Sequence, residues 1–246
     1  ERLRIVPDVD NGLVRVATNA PGAEDYEVIV RVMEDGRVLG EQQAAIDKPV
    51  AVPMPGATLW SHKNPKLYDL EILLTRGGEI VDRVGSYFGM RKISLGKDVL
   101  GRTRIPLNNQ PVFQYGLLDQ GFWPDGLYTA PNDEALRYDI EVTKALGFNL
   151  IRKHVKVEPA RWYYWCDRLG MLVWQDMPNG DRFLNVFKPI PDPDLIRTRA
   201  SAAQYERELL RMITNLENHP SILIWIPFNE GWGQFDTARI TELVKR

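Results

Sequence analysis

A single cysteine, Cys166, in 246 residues excludes an internal disulfide and any metal site built from several thiolates. Histidine is equally scarce. His62, His154 and His219 lie in three separate stretches, with no His-x-x-x-His or His/Cys pair at metal-binding spacing. No apolar run approaches the ~20 residues that a membrane-spanning helix needs. Neither sign of charge is in excess: 31 Lys and Arg against 33 Asp and Glu leave a net charge of -2, which argues against nucleic acid or an anionic membrane as partner. No Gly-x-Ser-x-Gly elbow supports a serine hydrolase, and no cofactor motif is present. The first residue is Glu1 rather than Met, and a strand-like pattern follows at once. The chain therefore reads as an internal piece of a longer product, with a periplasmic, secreted or cytoplasmic origin all open.

What is present follows two different rules. Up to Met90 the text consists of short alternating runs, such as Leu3–Val6, Leu13–Val16, Tyr26–Val32 and Leu67–Leu74. Turn signals separate them at Asp10-Asn11-Gly12, Pro21-Gly22, Glu34-Asp35-Gly36 and Arg76-Gly77-Gly78. Period-two alternation with turns at this spacing predicts an antiparallel β-sandwich over residues 1–92. From about Leu100 the pattern becomes near-continuous apolar strands alternating with helices. Strands are expected at Pro111–Leu118, Phe148–Arg152, Met171–Gln175 and Ile222–Phe228. Helices are expected at Asn132–Leu146, Pro159–Leu169, Ala202–Asn218 and Phe235–Arg246, with Asn132 as a polar cap and Gly147 and Gly170 as stops. Four such alternations are the signature of parallel strands covered by helices. A complete eight-fold barrel takes about 250 residues, so residues 93–246 suffice for its first four βα units. An open doubly wound sheet is the alternative, weakened because no glycine-rich loop follows the first strand. The segment Pro178–Ser201 shows neither pattern and is read as a substrate-facing loop in preference to a disordered insert.

Chemistry concentrates at the predicted strand ends. The run Ile222–Phe228 stops at Asn229-Glu230, with Trp225 and Trp232 to either side. A buried strand that delivers a Glu to its C-terminal tip is how a barrel enzyme presents a general acid/base; a polar strand end leading into a turn is the plainer reading of the same dipeptide. Trp232 suits stacking on a sugar ring, whereas Trp225, inside the strand, suits the core. Arg152-Lys153-His154 end the second strand. Arg152 is expected to buttress the barrel through an ion pair, and of Lys153 and His154, which point in opposite directions, His154 is the candidate substrate contact. Asp176 either lines the pocket, pairs with a base from the second strand, or anchors a loop. Asp119 is its counterpart after the first strand, with Trp123 and Tyr128 in the aromatic loop beyond. Cys166 sits at helical spacing among aromatics and is expected to be a buried structural thiol.

Four stretches in order resemble glycoside hydrolase family 2, the family of β-galactosidases, β-glucuronidases and β-mannosidases. They are Leu59-Trp60-Ser61 with Asn64-Pro65-Lys66-Leu67-Tyr68, then Phe88-Gly89-Met90-Arg91, then Leu107-Asn108-Asn109-Gln110-Pro111, and finally Asn218-His219-Pro220-Ser221 followed by Trp225 and Asn229-Glu230. The resemblance implies an immunoglobulin-like sandwich followed by the first half of a TIM (β/α)8 barrel. It also implies a retaining exo-β-glycosidase acting on a carbohydrate, with Glu230 as acid/base and Asn229 contacting the hydroxyl beside the anomeric carbon. The family's nucleophile is a Glu on the seventh barrel strand, which is not among these residues, so the chain on its own is expected to be inactive. Two departures bear on substrate. The second strand reads Arg-Lys-His-Val where the galactosidase branch has Arg-x-Ser-His, and Val173-Trp174-Gln175-Asp176 is closer to the mannosidase branch. The magnesium ligands of some β-galactosidases are not evident, so no metal or other cofactor is implied. A non-catalytic carbohydrate-binding or scaffolding module is the competing reading, and exposed half-barrel edges suggest self-association.

Overall fold

The computed structural model describes residues 2–23, 25–181, 194 and 197–245. Two compact units divide it: Glu1–Phe113 with Asn218–Pro220, and Gln114–Glu217 with Ser221–Arg246.

The first unit is a sandwich. One sheet has the order β1-β2-β5, from β1 (Arg2–Asp8), β2 (Leu13–Asn19) and β5 (Val50–Pro53). The other has the order β4-β3-β6-β7, from β3 (Glu27–Glu34), β4 (Arg37–Ala45), β6 (Tyr68–Arg76) and β7 (Glu79–Phe88). All pairings are antiparallel. Alternation explains why these residues form strands: Val14 and Val16 on β2, and Val28, Val30 and Val32 on β3, are all buried in one core. Each such side chain contributes about 1.5–3 kcal/mol through burial. Residues from the first three stretches that carry the family resemblance meet in this unit. Trp60 is fully buried, its N–H donates to the Met90 carbonyl at 2.7 Å, and Asn108 Nδ2 donates to the Trp60 carbonyl at 2.9 Å. A Cβ at Gly89 would lie 2.8 Å from the Trp60 side chain, so only glycine fits there.

Two short antiparallel pairs follow, β8 (Gly96–Lys97) with β9 (Thr103–Arg104), and β10 (Pro106–Leu107) with β11 (Gln110–Pro111). Here the structure corrects the sequence reading. The strand expected at Pro111–Leu118 is split, because Asn108 and Asn109 both have positive φ (54° and 63°) and turn the chain back on itself, so Pro111 closes a hairpin.

The second unit is a parallel sheet in the order β12-β13-β14-β15: β12 (Gly116–Asp119), β13 (Leu150–Lys153), β14 (Leu172–Asp176) and β15 (Ile222–Ile226). The helices are α1 (Asp133–Ala145), α2 (Ala160–Leu169), α3 (Arg199–Leu216) and α4 (Thr237–Val244). The caps are where the sequence puts them. Asn132 accepts from the Ala135 N–H, and Gly170 closes α2 in the left-handed region at φ 73°. Some boundaries differ: α4 begins two residues later than expected, and α3 begins three residues earlier, inside the predicted loop, because the Thr198 hydroxyl caps it by accepting from the Ser201 N–H. The rest of that loop, residues 182–193, 195 and 196, lies outside the described residues. One face of the sheet packs on the helices through Ile151, Val173 and Ile222 with Trp162, Tyr163, Cys166 and Leu209. Strand parity then puts Arg152, Trp174 and Asp176 on the opposite face.

Candidate active site

The C-terminal ends of β13, β14 and β15 converge on one guanidinium. Arg152 forks onto Asp176, with Nε to Oδ1 at 3.0 Å and Nη2 to Oδ2 at 2.9 Å. The same Nη2 donates to Asn229 Oδ1 at 2.9 Å. This bidentate geometry is the strong form of a charge-assisted pair, and it fixes more than the two acidic oxygens. Because Asn229 Oδ1 accepts from Arg152, its Nδ2 group is left as a donor for another acceptor. The Asp176 side chain is 1% exposed whereas that of Arg152 is 30% exposed, so the carboxylate is the buried partner and the arginine reaches it from the open side. The Val155 N–H approaches Asp176 Oδ2 at 3.4 Å from a backbone with φ 45°. A β-branched residue is strained in that region, and such strain persists only where the surroundings over-determine it.

Beside Asn229 stands Glu230, exposed, with φ 52°, and without a hydrogen bond or ion pair to any described residue. Gly231 and Gly233 follow with φ 73° and 61°, and the Trp232 N–H closes the turn onto the Asn229 carbonyl at 2.9 Å. Trp232 is 38% exposed, whereas Trp225 packs against the helix-side core.

A second polar cluster lies on the helix side of the sheet. Lys153 Nζ is bonded to Asp119 Oδ2 at 2.5 Å and to Glu158 Oε1 at 2.9 Å, and Lys156 Nζ reaches the same Glu158 oxygen at 2.9 Å. The side chains of Lys153, Lys156 and Glu158 are at most 2% exposed. The Lys153 ammonium sits 4.3 Å from the centre of the Trp162 ring. Lys156 also donates to the Gly121 carbonyl at 2.5 Å and lies over the Tyr128 ring, while Asp119 Oδ1 accepts from the Gly121 N–H at 2.7 Å. The cluster thus pins the aromatic loop that follows β12. Burial, with help from the Asp119 charge, raises the Asp139 carboxyl above its ordinary value. Burial likewise pushes up the Tyr163 hydroxyl, which donates to Gln175 Oε1 at 2.5 Å.

Of the residues singled out from sequence, the structure brings Asp176 and Asn229 together through Arg152 and sets Glu230 and Trp232 beside them. Asp119 is drawn to the helix side by Lys153. His154 Nδ1 meets the Gln120 side-chain amide at 3.0 Å, and Trp123 sits in the aromatic loop with its Nε1 buried and without a hydrogen-bond partner. Glu158 and Lys156 were not foreseen; two buried lysines sharing one carboxylate leave no mark in an alternation pattern. Among the described residues no group of three or more His, Cys, Asp or Glu could hold a metal ion. Nor is any described helix long and apolar enough to cross a membrane.

A parallel sheet alternating with helices, preceded in the chain by an antiparallel sandwich, is an architecture shared with known proteins. The family described as Glycosyl hydrolases family 2 matches residues 1–91, and the Glycosyl hydrolases family 2, TIM barrel domain, matches residues 128–246. The chain is 28% identical over 228 residues to the beta-galactosidase of Lactococcus lactis subsp. lactis, which covers 92% of this chain and 21% of that protein. It is 26% identical over 201 residues to a putative beta-glucuronidase of Formosa agariphila, covering 80% of this chain and 18% of that protein. The fold superposes on the beta-glucuronidase of Ruminococcus gnavus in complex with D-glucuronic acid with a TM-score of 0.77 at 23% identity, covering 99% of this chain and 38% of that one. The chain spans about a fifth of the length of the curated relatives it matches. With both the sandwich and the barrel matched in the order that the sequence motifs follow, the chain belongs to glycosyl hydrolase family 2.

Proposed function

We propose that these residues form the acid/base half of a retaining exo-β-glycosidase, with Glu230 as the general acid/base. The observation that carries this reading is the Arg152 fork, which holds Asn229 by its oxygen and so presents Glu230 at the C-terminal edge of the sheet, where barrel enzymes do their chemistry. In such a reaction Glu230 protonates the glycosidic oxygen as a second carboxylate attacks the anomeric carbon. It then takes a proton from the water that releases the covalent glycosyl intermediate. The Asn229 Nδ2 donor faces the hydroxyl beside the anomeric carbon. Trp232, Trp123 and His154 supply stacking and polar contacts to the sugar. Asp176 serves through Arg152, and Asp119 through the loop that it anchors.

The second carboxylate is proposed to come from outside these residues. Asp176 and Asp119 stand at strand ends but are engaged by Arg152 and Lys153, so neither is a free nucleophile. The unpaired edges of β12 and β15 are where further barrel strands, or a second copy of the chain, would pair.

The test is hydrolysis of aryl β-galactosides, β-glucuronides and β-mannosides by the full-length protein and its Glu230→Gln variant. The variant is expected to lose about 100- to 10,000-fold in kcat/KM on poor leaving groups and much less on good ones, which need no protonation. Azide should restore turnover by replacing water and give a glycosyl azide of retained configuration. Wild-type-like rates from Glu230→Gln would overturn the reading. Sugar binding by calorimetry without hydrolysis in the full-length protein would favour a binding module instead.

A further inference from the structure

The turn that carries Glu230 has an improbable backbone: Glu230, Gly231 and Gly233 all have positive φ. A left-handed conformation costs a non-glycine residue ~1 kcal/mol or more, so the turn needs to be held from outside. Two residues of the segment between β14 and α3 hold it. Arg197 donates from Nε to the Gly233 carbonyl at 2.8 Å, and from Nη2 to the carbonyls of Asn179 and of Gly180, the latter at 3.2 Å. Its guanidinium carbon lies 4.9 Å from the ring centres of both Tyr205 and Phe235. Tyr205 in turn donates its hydroxyl to the Pro227 carbonyl and stacks on Phe228 at 5.2 Å. Pro227 and Phe228 enter the turn, and Gly233 and Phe235 leave it, so both ends are tied to one buried cation. A Cβ at Gly233 would collide with the Gly180 carbonyl and with Arg197 itself, so the close approach of these groups requires glycine there.

Asp194 completes the fastening. It accepts from the Thr237 N–H at 2.9 Å, from the Thr237 hydroxyl at 2.5 Å and from Gln234 Nε2 at 3.1 Å. The residue that precedes α4, Asp236, makes no side-chain capping bond, so Asp194 caps the helix in its place.

The Arg197 side chain is 4% exposed, and its nearest described carboxylate, Asp181, is 3.9 Å away. A buried cation spent mainly on three peptide carbonyls from two loops senses the position of backbone rather than neutralising a charge. The planar fork of arginine can make all three bonds at once, and an ammonium cannot.

We infer that Arg197, assisted by Asp194, is a positioning residue for Glu230, locking the acid/base turn to the loop after the third barrel strand. This rests on the acid/base reading of Glu230. A carboxyl group that must protonate a glycosidic oxygen tolerates little displacement; misplacement by about 1 Å can cost 100-fold in rate.

The experiment compares full-length wild type with Arg197→Ala, Arg197→Lys, Asp194→Asn and, as reference, Glu230→Gln. It uses aryl β-glycosides with good and with poor leaving groups, together with amide hydrogen exchange over residues 229–237. Arg197→Ala is expected to lower kcat/KM about 100-fold on poor leaving groups, with a much smaller loss on good ones. Guanidinium ion at millimolar concentration should restore part of the loss, and Arg197→Lys should not. Exchange over 229–237 should quicken in Arg197→Ala and Asp194→Asn. Equal losses on all leaving groups, or exchange unchanged in both variants, would overturn the inference. Should Arg197→Ala not fold, Asp194→Asn decides by the same two readouts. If Glu230→Gln shows no leaving-group dependence, the acid/base reading falls, whereas the exchange data still judge the clamp.

Discussion

Replacing Glu158 by Gln removes one negative charge and almost no volume from a site in which two lysines depend on it. In the native structure Glu158 Oε1 is 2.9 Å from Lys153 Nζ and 2.9 Å from Lys156 Nζ, and all three side chains are at most 2% exposed. The two lysines fare differently when the charge goes. Lys153 keeps Asp119 at 2.5 Å, whereas Lys156 keeps only the Gly121 carbonyl and the Tyr128 ring. One buried cation is left uncompensated, so the expected cost is about 3 kcal/mol, the lower end of what breaking a buried pair costs. Were the cluster effectively solvated, the loss would be about 1 kcal/mol or less, as for surface pairs. Urea unfolding of the full-length protein separates the two cases through the shift in midpoint at unchanged slope. A second arm removes the charges together. Lys156→Met with Glu158→Leu should recover much of the lost stability, because packed apolar groups replace a buried pair at little net cost. A loss below 1 kcal/mol in Glu158→Gln, or a double variant less stable than the single one, would refute the argument.

Three further outcomes follow from local geometry. Cys166 is fully buried, and burial, with Asp167 adding its charge, raises the thiol well above its ordinary value; native protein should resist a thiol-directed reagent at pH 8, while protein unfolded in urea reacts at once. Asp194 is held below the usual carboxylate range, since hydrogen bonds from Thr237 and Gln234 outweigh the opposing effect of burial. A lowered folded-state value means that the carboxylate stabilises the fold above the unfolded value of about 3.9. The stability gap between wild type and Asp194→Asn should therefore be complete at pH 6 and close as pH falls below 4. Asn132 caps α1 through its side chain at 2.9 Å, and Asn132→Ala should cost about 1 kcal/mol in the same urea assay.

The elements were legible in the sequence wherever one face of a strand or helix is buried by its own periodic residues. The β2 and β3 valines and the α2 run ending at Gly170 are of this kind. The misreading at Pro111–Leu118 has the opposite cause. Phe113 and Tyr115 are 83% and 54% exposed, so apolar character there reports no buried strand. A positive φ at two consecutive asparagines, not hydrophobicity, decides where the chain reverses. The start of α3 was missed because a threonine hydroxyl, rather than the first apolar residue, sets it.

For the site, period-two reasoning states that Lys153 and His154 diverge but cannot say which of them faces which layer. That is settled by what each neighbour on the helix side can offer. Ile151 packs among the helix-side residues, so Lys153, two positions on, must point there as well, and it survives because Trp162, Asp119 and Glu158 surround its ammonium. Arg152 is thereby committed to the other face, where Asp176 and Asn229 await its fork. The identity of the residue that orients Asn229 is thus a consequence of a buried ion cluster on the far side of the same strand. A register slip of one residue in β13 would exchange the two faces and strand a lysine in the site. The Lys153–Glu158 pair opposes that slip, and this ties the stability of the helix-side cluster to the geometry of the candidate active site.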